Sequence, residues 1–193
     1  MKIRDIAELA SVLLQKHDLV NTGIFAQAQD NDLVKSVLES NYDLRLIVRC
    51  ANLVLKEVAC DYIPLLHKQT ITTQDGKIPY TAFEKMLLEV KSIKDKNGND
   101  VRFFSLPNHI EIQEGCFEVS YSFIPDDKKF FDEVDFSGTK VSDRVFAYGT
   151  VAEYCLICGM YDEALLWERR YKDALCIAAR KRTEVVMPRR RWL

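Results

Sequence analysis

The sequence predicts an α+β fold, in which N- and C-terminal helices form a helical bundle with an antiparallel β-meander inserted between them. Three observations predict it. Apolar residues recur at helical spacing in the first 60 residues, period-two alternation with turn signals then extends to Pro125, and helical spacing returns after Ser142. The order helices, strands, helices is typical of the α+β class.

These changes of pattern divide the chain into five segments. We predict N-terminal helices, an antiparallel β region, an acidic linker, a C-terminal helical hairpin and a basic docking tail, over residues 1–63, 64–125, 126–141, 142–182 and 183–193. With 193 residues, 48% of them apolar, the chain is long enough to bury one core, which excludes general disorder and low-complexity scaffolds.

The N-terminal segment reads as a series of amphipathic helices. A stripe of 3.6-residue period begins at Ile3. A short helix capped by Asn31 or Asp30 follows, and a longer helix begins at Asp43 and ends before Pro64.

Turn signals divide the β region into about four or five strands. They lie at Asp75-Gly76, Asn97-Gly98 and Glu114-Gly115. In the last strand, alternation places four apolar side chains on one face: Phe117, Val119, Tyr121 and Phe123. One face of the sheet is therefore expected to be apolar and the other wet.

The C-terminal pattern predicts two antiparallel neighbouring helices joined by a short turn at Gly159. Ser142 or Asp143 is a plausible N-cap for the first helix, and Asp162 for the second. Aromatic residues at helical spacing are expected in the core, namely Tyr161, Trp167 and Tyr171.

The six cysteines are expected to be reduced, buried thiols, because no secretory signal precedes them: Cys50, Cys60, Cys116, Cys155, Cys158 and Cys176. Cys155 and Cys158 form a C-x-x-C motif. The motif closes a helix, where the helix dipole raises a thiol pKa, and a zinc site would need two further ligands. Redox or metal chemistry is therefore disfavoured.

No other motif indicates catalysis or a cofactor. The seven glycines form no phosphate-binding loop, and the three histidines have no motif partners. The residues Asp95–Asp100 do not match the ligand spacing of a calcium-binding loop and are predicted to form a hairpin turn. Acidic pairs such as Asp126-Asp127 are predicted to lie in a solvated loop. We predict no catalytic residues, no metal and no cofactor. No apolar run approaches the roughly 18–20 residues of a membrane span, so no membrane is expected as a partner.

Charge is distributed unevenly along the chain. Residues 61–139 carry 9 basic and 14 acidic side chains, whereas residues 140–193 carry 11 basic and 7 acidic ones. The basic excess lies at the end, where arginines stand beside apolar residues that a purely electrostatic tail would not need. We therefore predict a docking tail that inserts into a protein groove through Arg180, Lys181, Arg182, Val185, Val186, Met187, Arg189, Arg190, Arg191, Trp192 and Leu193.

Residues 86–180 resemble a known family in the order and spacing of their motifs. A strand ends in a Tyr-x-x-x-Pro element at Tyr121–Pro125, and an acidic stretch follows over Asp126–Asp135. An Ala- and aromatic-rich helix spans Asp143–Tyr154, and after a Gly turn the last helix contains Tyr171–Leu175 as a Tyr-x-x-x-Leu element. This pattern resembles the head-to-tail adaptor, or connector, proteins of tailed bacteriophages, particularly the tail tubular protein A group.

The resemblance implies a non-enzymatic structural subunit of a homo-oligomeric ring, often in twelve copies. Such a ring lies in the virion neck between the portal protein and a tail or nozzle protein, and it is assembled in the cytoplasm of a bacterial host. It lines the exit channel, through which genomic DNA passes without sequence-specific binding. The C-terminal segment of the family typically docks against the portal.

Two other classes of function remain open on the sequence alone. The basic tail is compatible with a nucleic-acid-binding module, whose affinity would fall steeply with salt. An enzyme with a thiol or carboxylate site would instead require a reactive cysteine of low pKa at Cys155 or Cys158.

Overall fold

The fold is α+β, as predicted, and the described residues form six α-helices and two antiparallel sheets. The structure, a computed structural model, describes residues 1–21, 23–26, 32–136 and 141–179. Within them lie, in chain order, α1 (Ile3–Leu13), α2 (His17–Asn21), α3 (Asp32–Ser40), α4 (Tyr42–Glu57), β1 (Leu65–Thr73), β2 (Lys77–Pro79), β3 (Leu87–Lys94), β4 (Phe104–Ser105), β5 (His109–Glu111), β6 (Gly115–Phe123), α5 (Asp143–Ile157) and α6 (Tyr161–Ala179).

The helix starts differ in detail from the sequence prediction. Asn41, rather than Asp43, caps α4, because the Asn41 side chain accepts a hydrogen bond from the backbone N–H of Leu44 at 3.1 Å. Asp43 lies in the first turn and is free to contact other helices. A single π-helical turn over Val58–Tyr62 follows α4, ahead of Pro64.

The strand order is not that of a meander. One sheet has the order β1-β6-β3 and the other β2-β5-β4. The strand β6 pairs along its whole length with β1, from Phe123 opposite Leu65 to Gly115 opposite Thr73. Its other edge pairs with β3. The strand β6 occupies the central position of its sheet because its apolar face is buried.

The helix α5 lies at the centre of the helical layer and contacts α1, α4 and α6. Its contacts with α6 run in opposite chain directions. Cys155, late in α5, lies 4.0 Å from Glu163, early in α6, whereas Gly149, earlier in α5, lies against Tyr171, later in α6. The turn between the two helices places Gly159 at a φ of 78°, a left-handed conformation that glycine adopts easily. The two helices are therefore antiparallel neighbours, as predicted.

Gly149 allows three helices to approach closely. A Cβ atom added there would lie 2.7 Å from Cγ1 of Val54 on α4 and 3.0 Å from Cε2 of Tyr171 on α6. Such distances are shorter than carbon–carbon contacts allow, so any larger residue would push α4 and α6 away from α5.

The connection between β6 and α5 packs onto the helices, although its acidic pairs are exposed. Phe130, Val134 and Phe136 are buried. The backbone N–H of Arg4 donates to the carbonyl of Phe130 at 2.9 Å, and Lys2 forms an antiparallel bridge with Glu133. This part of the predicted acidic linker therefore contributes apolar residues to the core.

Several predictions of burial were wrong. Tyr161 is 65% exposed in the first turn of α6, while Tyr171 is buried and Trp167 half-buried. The cysteines are all free, as expected, but three are exposed, namely Cys60, Cys158 and Cys176. They lie in the π-helical turn, at the end of α5 and on α6, at positions that the described residues leave exposed. No helix in the described part of the chain is long and apolar enough to cross a membrane.

Candidate partner-binding surfaces of the helical hairpin

The predicted docking tail falls outside the part of the chain that the structure describes. Its residues Arg180, Lys181, Arg182, Val185, Val186, Met187, Arg189, Arg190, Arg191, Trp192 and Leu193 follow directly on the last described residue of α6, Ala179. The surfaces that the structure does describe around α5 and α6 are therefore the candidate functional site.

The hairpin of α5 and α6 leaves six large apolar side chains exposed. Their exposed fractions range from 49% for Ile157 to 77% for Ile177. This set, called the hairpin surface below, consists of Leu156, Ile157, Tyr161, Leu165, Leu166 and Ile177. Large apolar side chains that stay exposed beside one another are typical of protein–protein interfaces, and Leu156, Tyr161 and Leu165 of this set line one common groove.

The sequence of α6 explains why these side chains project outward. Its buried residues are Ala164, Tyr171 and Leu175, which recur at helical spacing and face the rest of the fold. Leu166 and Ile177 lie about three helical turns apart and share a side of α6 that does not face α5. The helix therefore carries more apolar residues than one buried face requires.

A groove of about 410 Å³ runs between α5 and α6, called the hairpin groove below. Its walls include three apolar side chains of the hairpin surface and three carboxylates, namely Leu156, Tyr161, Leu165, Glu57, Glu153 and Glu168. Lys172 also lies in the wall and pairs with Glu168. The walls therefore combine apolar area with an excess of negative charge.

Glu57 is the most constrained carboxylate of the groove. The hydroxyl of Tyr171 donates a hydrogen bond to its Oε2 at 3.2 Å. Partial burial raises the pKa of Glu57, and the nearby charges of Glu153 and Asp61 raise it further. A cationic group placed in the groove would offset the cost of this burial and the repulsion between the carboxylates.

A polar cluster that the sequence analysis missed joins the segment between α1 and α2 to α4 and α5. Lys16 Nζ lies 2.8 Å from Asp43 Oδ2, and the buried Tyr154 hydroxyl donates to Asp43 Oδ1 at 2.7 Å. The hydrogen bond from Lys16, followed by that from Tyr154, lowers the pKa of Asp43. The three residues are far apart in the chain, so no local pattern in the sequence indicated the cluster.

We expect Asp43→Asn to reduce the stability and to change its dependence on pH. Because the folded state lowers the pKa of Asp43 below 3.8, its contribution is present above that pH and lost as the pH falls through the folded value. At pH 7 the variant should lower the free energy of unfolding by about 1–2 kcal/mol. Urea titrations between pH 2.5 and 7 would measure this, with Asp173→Asn as the control. Parallel stability profiles for Asp43→Asn and the wild type would contradict the role of the cluster.

The C-x-x-C motif lies where the sequence predicted, at the end of α5, with Cys158 as the C-cap. Burial raises the pKa of the Cys155 thiol to about 11, and the charge of Glu163 contributes in the same direction. Burial likewise raises the pKa of Cys50 to about 12. These thiols are protonated at neutral pH, the opposite of what a nucleophilic cysteine requires.

The other titratable residues do not assemble into a metal site within the residues that the structure describes. No group of three or more His, Cys, Asp or Glu side chains there is placed to hold a metal ion. The three histidines lie on separate elements, and His67 contacts Glu84 at 3.3 Å. The hairpin surface and the hairpin groove combine exposed apolar area with charge, as partner-binding surfaces do.

Comparison with known proteins adds no relative. No protein-family model matches the chain, and no curated protein matches it.

Proposed function

We propose that this chain is a non-catalytic structural subunit of a head-to-tail adaptor ring in a tailed bacteriophage. In this role it joins the portal protein to the tail or nozzle protein, and copies of it line the exit channel for genomic DNA. The observation that carries the proposal is the hairpin surface, six large apolar side chains that the described part of the chain leaves exposed. The motif order of residues 86–180 supports the same family.

An uncovered apolar surface of this kind favours assembly. Covering one large apolar side chain is worth about 1.5–3 kcal/mol, so a neighbouring subunit that buries several gains substantial free energy. In a ring the contact is heterologous, because one face of each subunit meets a different face of the next. The hairpin surface supplies one of the two faces.

The acidic β region suits the wall of a DNA channel. Residues 61–139 carry a net charge of −5, and Glu111 and Glu114 are exposed next to β5. Like charges repel the phosphates of the duplex, which keeps DNA from adhering as it passes. Sequence-specific binding is not part of this role.

If the hairpin surface forms the contact between subunits, charges placed on it should reduce the number of copies that bind to a portal ring. We expect the chain to form multimers on a portal ring, and the double variant Leu166→Glu/Ile177→Glu to lower the number of bound copies by at least about half. Two buried carboxylates would each oppose an apolar contact with a cost of several kcal/mol. Light scattering of the purified complexes measures the mass.

The matched control is Leu66→Glu, which places the same charge on an exposed apolar residue of β1. We expect it to assemble as the wild type does. A wild-type chain that stays monomeric with the portal and binds DNA in low salt would contradict the proposal. That result would favour a nucleic-acid-binding module that uses the basic tail.

A further inference from the structure

The hairpin groove has the chemical character of a site for a basic and apolar peptide. Glu57, Glu153 and Glu168 face it, against one lysine that is already paired with Glu168. The apolar part of the wall consists of Leu156, Tyr161 and Leu165, which residues 1–179, as far as the structure describes them, leave exposed. A ligand that fits would carry several positive charges and a few large apolar side chains.

A segment of this composition begins directly after α6. Residues 180–193 contain six basic side chains and one acidic side chain, Glu184. Apolar residues stand between the two arginine clusters and after them, namely Val185, Val186, Met187, Trp192 and Leu193. Charge and apolar content are therefore complementary to the groove.

The segment is long enough to reach the whole groove of its own chain. The helix α6 has 19 residues and is about 28 Å long. Fourteen residues after Ala179 span up to roughly 46 Å when extended. A segment that turns back at Ala179 therefore reaches the far end of the groove at Tyr161.

We propose that residues 180–193 bind in the hairpin groove of the same chain in the free subunit. The arginines lie against Glu57 and Glu153, and the apolar residues cover Leu165 and its neighbours in the wall. Binding within one chain is favoured over binding between copies, because the tether gives the segment a high effective concentration at the groove.

The contact between the tail and the groove also regulates assembly of the adaptor ring. This regulatory role rests on the proposed function. The same tail is expected to dock on the portal, and it cannot occupy both sites at once. Portal docking would withdraw the tail from the groove and uncover Leu156, Tyr161 and Leu165 for the neighbouring subunit. Ring assembly would then follow portal docking rather than precede it.

Trypsin cleavage of the full-length chain tests the contact without a portal. The tail carries six cleavage sites, and mass spectrometry follows their loss over time. We expect Glu153→Gln and Leu165→Asn each to accelerate tail cleavage about fivefold, because each removes one favourable contact. Circular dichroism would verify that both variants keep the fold.

Two matched controls make the same chemical changes outside the groove. Asp173→Asn removes one charge from another side of α6, and Leu166→Asn alters the residue next to Leu165. We expect both to be cleaved at the wild-type rate.

Equal cleavage rates in all four variants would overturn the proposal. Protection that rises with protein concentration would overturn the assignment to the same chain and favour a second copy. A failure of the adaptor function would leave the cleavage rates unchanged, because the assay contains neither portal nor tail.

Discussion

Replacing Tyr171 with alanine is expected to lower the free energy of unfolding by about 3–5 kcal/mol, the range for large aromatic residues in cores. Tyr171 is 3% exposed and fills the space above Gly149, where α5 and α6 approach most closely. Its hydroxyl also donates to Glu57. The substitution would leave a cavity between the helices and a carboxylate without its donor.

Two further variants show which part of this effect comes from the Tyr171 ring. One removes only the Tyr171 hydroxyl, and the other removes Trp167, an aromatic residue elsewhere on α6. Tyr171→Phe keeps the ring and should cost only about 1 kcal/mol. Trp167→Ala should cost less than Tyr171→Ala, because Trp167 is half-buried and stacks with Tyr148 and Arg170 at the edge of the core. Urea denaturation at pH 7 measures all three. Unchanged stability in Tyr171→Ala would place the residue in an interface instead of the core.

Deleting Val185–Leu193 is expected to abolish attachment to a portal and to leave the fold intact. The deleted residues combine arginines with Trp192, the residue types that dominate the free energy of protein interfaces. We expect the affinity for the portal to fall at least about 100-fold, equivalent to about 2.7 kcal/mol. Pull-down with a purified portal measures attachment, and circular dichroism measures the fold.

The control for this deletion separates the contribution of the arginine charges to portal binding from that of the apolar residues. Replacing Arg189, Arg190 and Arg191 with glutamine keeps Trp192 and should weaken attachment partially, with a smaller dependence on salt. Attachment that survives the deletion would show that the portal is held elsewhere on the chain. The tail would then have a role only within the subunit.

Local patterns were sufficient to predict most helices of this fold. The apolar stripe beginning at Ile3 became α1, and the C-x-x-C motif lies at the end of α5 because Gly159 permits the left-handed turn. The alternation in β6 likewise predicted its buried face. Each of these features depends on residues that are close together in the chain. The spacing of the apolar residues in the sequence is therefore sufficient to predict it.

Features that depend on distant residues could not be predicted in this way. The strand β6 lies between β1 and β3, and nothing local in either strand identifies the other as a neighbour. The cluster of Lys16, Asp43 and Tyr154 forms only when the connection after α1 packs against α4 and α5. Composition alone gives no indication of which charged residues a fold brings into contact.

The candidate site was predicted only in part, for the same reason. Helical spacing predicted that Tyr161, Trp167 and Tyr171 belong to one helix, but the packing of α6 on α5 decided which of them faces the core. The hairpin groove was not predicted, because its carboxylates come from α4, α5 and α6. The tail was predicted from its composition, and the groove gives it a candidate partner.

Localising the chain in phage particles is the most direct test of the adaptor role. A tag on the N-terminus, away from the proposed docking tail, would be detected with gold by electron microscopy. We expect label at the junction of capsid and tail, in a ring below the portal. Particles that assemble with complete necks and carry no label there would contradict the assignment of this chain to the adaptor ring.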